Sequence, residues 1–138
     1  MSTAYIILIM LNVLIRPPEY PVKIDPDLTL QAQVRAEQLC DDKQWSHDGY
    51  TDYFQGTGTL VAGENLAKQW HSTYKAINAW ILSPSHYKNM IDTRFKVVGV
   101  GEDTRCDLIV LFFADNYEKT ATTTTNKVLG AQGSGEDH

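Results

Sequence analysis

The chain has 138 residues, of which 43% are hydrophobic, and carries 17 acidic against 12 basic residues for a net charge of −5. This size and composition predict one globular domain with a single core, and they exclude a disordered or low-complexity protein. The acidic balance and the lack of any basic cluster argue against nucleic acid as a partner.

The first predicted element is a helix over about residues 3–15, which contains the longest apolar run, residues 5–15. This run is too short to cross a bilayer as a helix, so no transmembrane span is predicted. A signal-peptide core is the alternative, but no Lys or Arg precedes the run and Arg16-Pro17-Pro18 follows it in place of a small-residue cleavage site. We therefore interpret the segment as a buried first helix.

A second helix is predicted to begin at Asp25-Pro26-Asp27 and to run to about Cys40. Asp25 can cap the free amides, Pro26 suits the first helical position, and Asp27 complements the helix dipole. At 100° per residue, one face of this helix collects its small and apolar side chains, which are Leu28, Ala32, Ala36, Leu39 and Cys40. This amphipathic face is expected to pack on the core.

The region between Asp41 and Gly63 has no clear periodicity, and only residues 45–47 resemble a short strand. Long irregular connections in compact domains are more often functional than idle. A functional role is therefore expected for this region.

A third helix is predicted over about residues 72–82, with Tyr74, Ile77, Trp80 and Ile81 on one face. Ser83-Pro84 then ends that helix and begins another, with Ser83 as the N-cap. The next helix therefore carries His86 in its first turn.

Residues 96–102 and 107–114 predict an antiparallel hairpin whose second strand is apolar on both faces and therefore central. Together with the helices, this hairpin predicts an α+β fold, a three-layer α-β-α sandwich with a small antiparallel sheet. The domain is expected to span residues 1–119, and residues 120–138 are interpreted as a flexible polar tail or linker. Cys40 and Cys106 could form one disulfide or remain two buried thiols, and the sequence leaves both alternatives open.

His47, Glu64 and His86 are the candidate site residues, because each stands beside residues that fix the backbone. Each also has a structural explanation when taken alone. Glu64 could cap a helix, and His86 could bond to a neighbouring carbonyl. His71 and His138 are given only the structural interpretation.

The pattern Gly63-Glu64-Asn65-Leu66, followed by Trp80-x-x-Ser-Pro-x-His86, resembles the CAP superfamily. This superfamily comprises the SCP-like domains of cysteine-rich secretory, antigen-5 and plant pathogenesis-related proteins, and the bacterial branch is the most similar. The resemblance covers nearly the whole domain and extends to Asn12, residues 25–28, Arg35-Ala36, residues 45–47, residues 62–67, Ala79, Asn89, residues 98–101 and Phe113-Ala114.

The resemblance implies an α-β-α sandwich with a large central cleft in which His47, Glu64 and His86 converge. Two neutral imidazoles, those of His47 and His86, could hold Zn²⁺ or another divalent cation. Glu64 could orient a histidine, ligate the metal or activate a bound water, which makes it the candidate catalytic residue. Many eukaryotic members have a second glutamate where this chain has Ser83, and the bacterial branch commonly shares that loss.

Three functions follow as hypotheses. The favoured one is a binding module that holds a cation or a small polar or lipid-like ligand, with aromatic walls from Tyr50, Tyr53, Phe54 and Tyr87. The second is a metal-assisted hydrolase, although the sequence contains no Gly-x-Ser-x-Gly and no His-Glu-x-x-His motif. The third is a structural component of a larger assembly, such as a phage virion, that contacts a protein partner through the N-terminal helix or the tail. The family implies an extracellular or particle-associated location.

Overall fold

A computed structural model describes residues 1–119 and 129–132. The first helix, α1, is continued by a π-helical stretch, and a short 3-10 helix follows the second helix. In chain order the elements are α1 (Thr3–Ile9), the π-helical stretch (Met10–Ile15), β1 (Lys23–Ile24), α2 (Pro26–Asp42), the 3-10 helix (Tyr50–Phe54), β2 (Val61–Lys68), α3 (Thr73–Leu82), α4 (Pro84–Ile91), β3 (Val97–Asp103), β4 (Leu108–Ala114) and β5 (Leu129–Gln132).

The described strands form one five-stranded sheet in the order β1-β3-β4-β2-β5. The central strand β4 is antiparallel to both neighbours, and Leu111 is paired with Val100 on β3 and with Asn65 on β2. Every residue of β4 is buried, which confirms the predicted hairpin and its central position. The two outer strands are parallel to their neighbours, so the sheet is mixed where a purely antiparallel one was expected.

Helices cover both faces of the sheet, which confirms the α-β-α sandwich. On one face, side chains such as Trp80, Phe95 and Phe113 pack with α1, α3 and α4. On the other face, α2 and the 3-10 helix pack against Phe112 and its neighbours. Because successive strand residues point to opposite faces, Phe112 packs in one core and Phe113 packs in the other.

The first helix is buried on one side only. Ser2 caps α1 by accepting a hydrogen bond from the amide of Tyr5. Ile7 and Leu11 are buried, whereas Val13 is 71% exposed and Leu14 is 69% exposed. The prediction of a buried first helix is therefore wrong for its outer side. In the part of the chain that the structure describes, no helix has the length and apolarity needed to cross a membrane.

The segment after this helix is fixed by Arg16. Its buried guanidinium donates hydrogen bonds to four backbone carbonyls, those of Tyr20, Met90, Asp92 and Phe95. Burial lowers the pKa of Arg16 from its ordinary value, and Asp92 partly opposes that shift. Arg16 thus joins the first helix to the end of α4.

Helix α2 begins as predicted. The side chain of Asp25 accepts a hydrogen bond from the amide of Leu28, and Pro26 occupies the first turn. A Cβ atom at Gly101 would lie 2.3 Å from the backbone of Ala32, and one at Gly99 would lie 2.5 Å from Leu28. The two glycines of β3 therefore allow α2 to lie directly on the sheet.

Cys40 and Cys106 form a disulfide, with their Cα atoms 5.8 Å apart. It ties the end of α2 to the turn between β3 and β4. The structure thereby decides between the two alternatives that the sequence left open.

Several segments differ from expectation. Residues 45–47 form no strand, and β2 was not predicted. Tyr74 is exposed, so only part of the predicted apolar face of α3 is buried. Residues 129–132, which were assigned to the tail, form β5 beside β2 because that strand leaves backbone groups to pair. The rest of the predicted tail, residues 120–128 and 133–138, lies outside the described residues.

Candidate functional site

Glu64 lies on β2 and is fully buried. Arg35 donates to it twice, with Nε 2.9 Å from Oε2 and Nη2 3.3 Å from Oε1. The Nδ1 atom of His47 lies 2.7 Å from Oε1 of the same carboxylate. Glu64 therefore caps no helix. Inside the domain, its carboxylate binds both the guanidinium of Arg35 and the imidazole of His47.

Arg35 is the residue of the site that sequence reasoning missed. It projects from α2 and, besides binding Glu64, donates to the carbonyls of Asp48 at 3.0 Å and Ser46 at 3.0 Å. It therefore fixes the loop that carries His47. A signal was present, because position 35 falls on the same helical face as Leu28 and Leu39, where a charged residue requires a buried partner.

His47 is held by its contact with Glu64. The side chain is buried, with the residue 8% exposed, and the ring makes an edge contact with Tyr50 at 6.3 Å between centroids. A carboxylate at Nδ1 favours the tautomer in which Nδ1 carries the proton and donates it to the carboxylate. The second ring nitrogen, Nε2, is then the atom with a lone pair.

His86 lies in the first turn of α4, as predicted, and is fully buried. Its Nδ1 lies 2.8 Å from the hydroxyl oxygen of Ser83. Ser83 occupies the N-cap position, but its side chain makes no capping hydrogen bond. The expected cap is thus replaced by a contact that orients the imidazole.

Helix α4 is attached to the strand that carries Glu64. Asn65 donates its side-chain amide to the carbonyl of His86 at 3.2 Å. Asn89 donates to the side-chain oxygen of Asn65 at 2.9 Å and to the carbonyl of Glu64 at 3.4 Å. The structure therefore joins His47 and Glu64 directly and holds His86 on a helix bound to the same strand. That the two imidazoles share one ion or water stays a prediction.

Three of the four aromatic residues that were expected to line the cleft make side-chain contacts elsewhere in the domain. Tyr50 and Phe54 are buried and pack against Phe112. The hydroxyl of Tyr53 donates to Gln38, and burial raises the pKa of Tyr53. These contacts support a packing role for these three rings.

The donor set determines which atoms could hold a metal. Among the described residues, no group of three or more His, Cys, Asp or Glu side chains is arranged to hold an ion. Both oxygens of Glu64 are engaged by Arg35 and His47, so direct ligation by Glu64 would break these bonds. The candidate ligand atoms are then the ring nitrogens of His47 and His86.

The sequence profile of the cysteine-rich secretory protein (CAP) family matches residues 18–113. The chain belongs to this family. It is 30% identical over 88 residues to the uncharacterized protein YkwD of Bacillus subtilis (strain 168), a match that covers 59% of this chain and 34% of YkwD. The CAP domain described here thus spans about a third of that relative.

Solved structures show the same fold. An extracellular protein containing an SCP domain from Bacillus anthracis is similar with a TM-score of 0.70 and 25% identity, over 80% of this chain and 39% of that one. An outer surface protein from Borrelia burgdorferi gives a TM-score of 0.59 at 24% identity, over 69% of this chain and 77% of that one. The chain therefore spans well under two thirds of the Bacillus anthracis protein.

Proposed function

We propose that this CAP domain is a binding module that takes a divalent cation on the ring nitrogens of His47 and His86. The observation that carries the proposal is the position of Glu64, whose carboxylate binds Arg35 and the Nδ1 atom of His47. Metal-bound histidines typically donate their other ring N–H to a carboxylate or another oxygen. His47 has such a partner in Glu64.

His86 supports the same assignment. Its Nδ1 is also bound to an oxygen, the hydroxyl of Ser83, so Nε2 is the ligand atom in both histidines. The ring lies in the first turn of α4. A bound Zn²⁺ would leave positions open for an oxygen ligand such as water or a carboxylate. Two protein ligands hold such an ion weakly.

The engagement of Glu64 favours binding over catalysis. A general base must reach the proton that it removes, and both oxygens of Glu64 already accept hydrogen bonds. Its role in the proposed site is to orient His47. The metal-assisted hydrolase is therefore the weaker alternative.

We further propose that the protein works outside the reducing cytoplasm. The disulfide between Cys40 and Cys106 supports this location, since such bonds persist mainly in oxidising compartments. The extracellular relative from Bacillus anthracis supports it as well.

The test is a calorimetric titration with Zn²⁺ of the full chain and of His47→Ala, His86→Ala and His71→Ala variants. His71 is the matched control because it is exposed and paired with Asp107. The proposal expects saturable binding by the wild type and the His71 variant, and at least about tenfold weaker binding by the other two. Equal affinity in all four proteins would overturn it, and thermal unfolding of each variant checks that the fold is intact.

A further inference from the structure

Strand β5 lies along the outer edge of β2, beside the candidate site. It runs parallel to β2, with Leu129 opposite Val61 and Gln132 opposite Glu64. It also contacts α4, the helix that carries His86. A short segment near the end of the chain therefore covers the sheet edge next to two of the three candidate site residues.

The backbone of β2 shows which groups face this edge. The carbonyl of Val61 accepts from the amide of Asp115, and the amide of Gln69 donates to the carbonyl of Asp107. Alternate residues of a strand direct their backbone groups to opposite neighbours. Gly63 and Asn65 therefore face β4, as Val61 does, whereas the residues between them face outward.

Side chains take the outward groups at the far end of the edge. The carbonyl of Leu66 accepts from Trp80 at 3.0 Å, and that of Glu64 accepts from Asn89 at 3.4 Å. The amide and carbonyl of Ala62 and the amide of Glu64 remain for a neighbouring strand. The edge is thus limited to a short extended segment, and β5 has that length.

One position on this edge selects for glycine. A Cβ atom at Gly130 would lie 2.5 Å from the hydroxyl of Tyr50 and 3.1 Å from Cγ2 of Thr51. Tyr50 is buried in the core and has little room to move. A segment that pairs opposite Ala62 must therefore carry glycine at this point.

We propose that the outer edge of β2 beside Glu64 is a binding site for an extended peptide, and that residues 129–132 occupy it as an intramolecular ligand. Backbone groups supply the affinity, as in other cases of strand addition to a sheet edge. Tyr50 supplies the specificity for glycine. An extended peptide from another molecule, with glycine opposite Ala62, must displace residues 129–132. Because these residues are tethered to the domain, their effective concentration is on the order of mM. The proposal goes beyond the cation site and does not depend on it.

The first test measures amide hydrogen exchange by NMR, without added metal, on the full chain and on two variants. Gly130→Ala should release β5 and raise the exchange rates of the Ala62 and Glu64 amides at least about tenfold. The amides of Gly63 and Asn65 are internal controls because they bond to β4. Gly135→Ala, a change of the same type outside β5, should behave as the wild type.

A second variant shows whether the effect of Gly130→Ala comes from Tyr50. Adding Tyr50→Phe removes the hydroxyl, so that the nearest remaining contacts of the new Cβ are 3.1 and 3.2 Å. Part of the protection of the Ala62 and Glu64 amides should return. Tyr50→Phe alone, measured beside it, gives the reference protection for the double variant.

The last test is peptide binding in trans. A synthetic peptide spanning residues 127–134 should bind the Gly130→Ala chain at the Ala62 and Glu64 amides at least about tenfold more tightly than it binds the wild type. The same peptide with alanine in place of Gly130 should not bind. Unchanged exchange in Gly130→Ala, or no binding of the peptide to that variant, would overturn the proposal. A concentration-dependent dimer of the wild type would show that a second copy supplies the strand and would overturn the intramolecular arrangement.

Discussion

Arg35 on α2 and Glu64 on β2 form a buried ion pair, with Nε 2.9 Å from Oε2. Glu64 is fully buried and Arg35 nearly so. The same guanidinium also binds the loop carbonyls of Ser46 and Asp48, so it holds the loop on both sides of His47. Stability and site geometry are therefore coupled at Arg35.

Removing one partner of this pair should be costly. Arg35→Met leaves the carboxylate of Glu64 without its cation in a buried position, so we expect unfolding free energy to fall by about 3–5 kcal/mol. Urea unfolding measures this. The double variant Arg35→Met/Glu64→Leu should lose much less than the sum of the two single variants. Lys75→Met, an exposed change on α3, should stay within about 0.5 kcal/mol, and strictly additive losses at positions 35 and 64 would contradict the pairing.

Trp80 should be structural. It is fully buried, and its Nε1 donates to the carbonyl of Leu66 at 3.0 Å. Trp80→Ala should lower stability by about 3–5 kcal/mol, because it leaves a large cavity. Trp45 is only partly buried beneath the Nζ atom of Lys68, so Trp45→Ala should lower stability less. Thermal unfolding of both variants measures the two losses. An unchanged Tm for Trp80→Ala would show that this ring is a surface or ligand contact.

The disulfide should contribute to stability chiefly by restricting the unfolded chain. With a separation of 66 residues between Cys40 and Cys106, the chain-entropy relation gives a loss of about 4 kcal/mol for the Cys40→Ser/Cys106→Ser variant. Urea unfolding of the wild type with and without a reductant should show a similar difference. Thiol titration of the unfolded, unreduced protein should find no free cysteine, and two reactive thiols would contradict the bond.

Tyr117 should make the fold sensitive to alkaline pH. Burial raises the pKa of Tyr117 to about 12, and its hydroxyl donates to the carbonyl of Tyr53 at 3.1 Å. The unfolded chain ionises this group near its ordinary value of about 10. The stabilising contribution is therefore complete below about pH 10 and is lost as the pH rises toward about 12.

The measurement is urea unfolding of the wild type and Tyr117→Phe at several values between about pH 9 and about pH 12. The wild type should lose on the order of 2 kcal/mol more than the variant across this range, because the variant lacks the phenol of Tyr117 and keeps every other titrating group. Parallel curves would mean that Tyr117 does not carry this dependence.

The helices could be predicted because their signals are local. Asp25-Pro26 before α2 is a capping pattern, and the structure confirms that cap. The predicted start of α3 at Ser72 is also correct, and Ser72 caps this helix. The hairpin of β3 and β4 could be predicted equally well, because its second strand is a continuous apolar run. In each case the decisive information lies within a few neighbouring residues.

Strand β2 could not be predicted for a physical reason. It carries Gly63, Glu64 and Asn65 in succession, all residues with low strand propensity, and it is buried on both faces. Its polar side chains are satisfied by Arg35 on α2 and by Asn89 on α4, which are distant in the sequence. The candidate site therefore came from a resemblance between motifs, and the contacts that form it required the structure.

His47 and His86 are proposed to bind one cation together through their Nε2 atoms. Long-range ¹H–¹⁵N spectra of the full chain report the protonation and ligation of each ring nitrogen directly. Before addition of Zn²⁺, the spectra should show His47 with its proton on Nδ1, next to Glu64. On addition, the Nε2 signals of His47 and His86 should shift together at the same Zn²⁺ concentration, while those of His71 stay in place. A shift confined to one of the two histidines, or no shift in either at saturating Zn²⁺, would show that they do not share one cation.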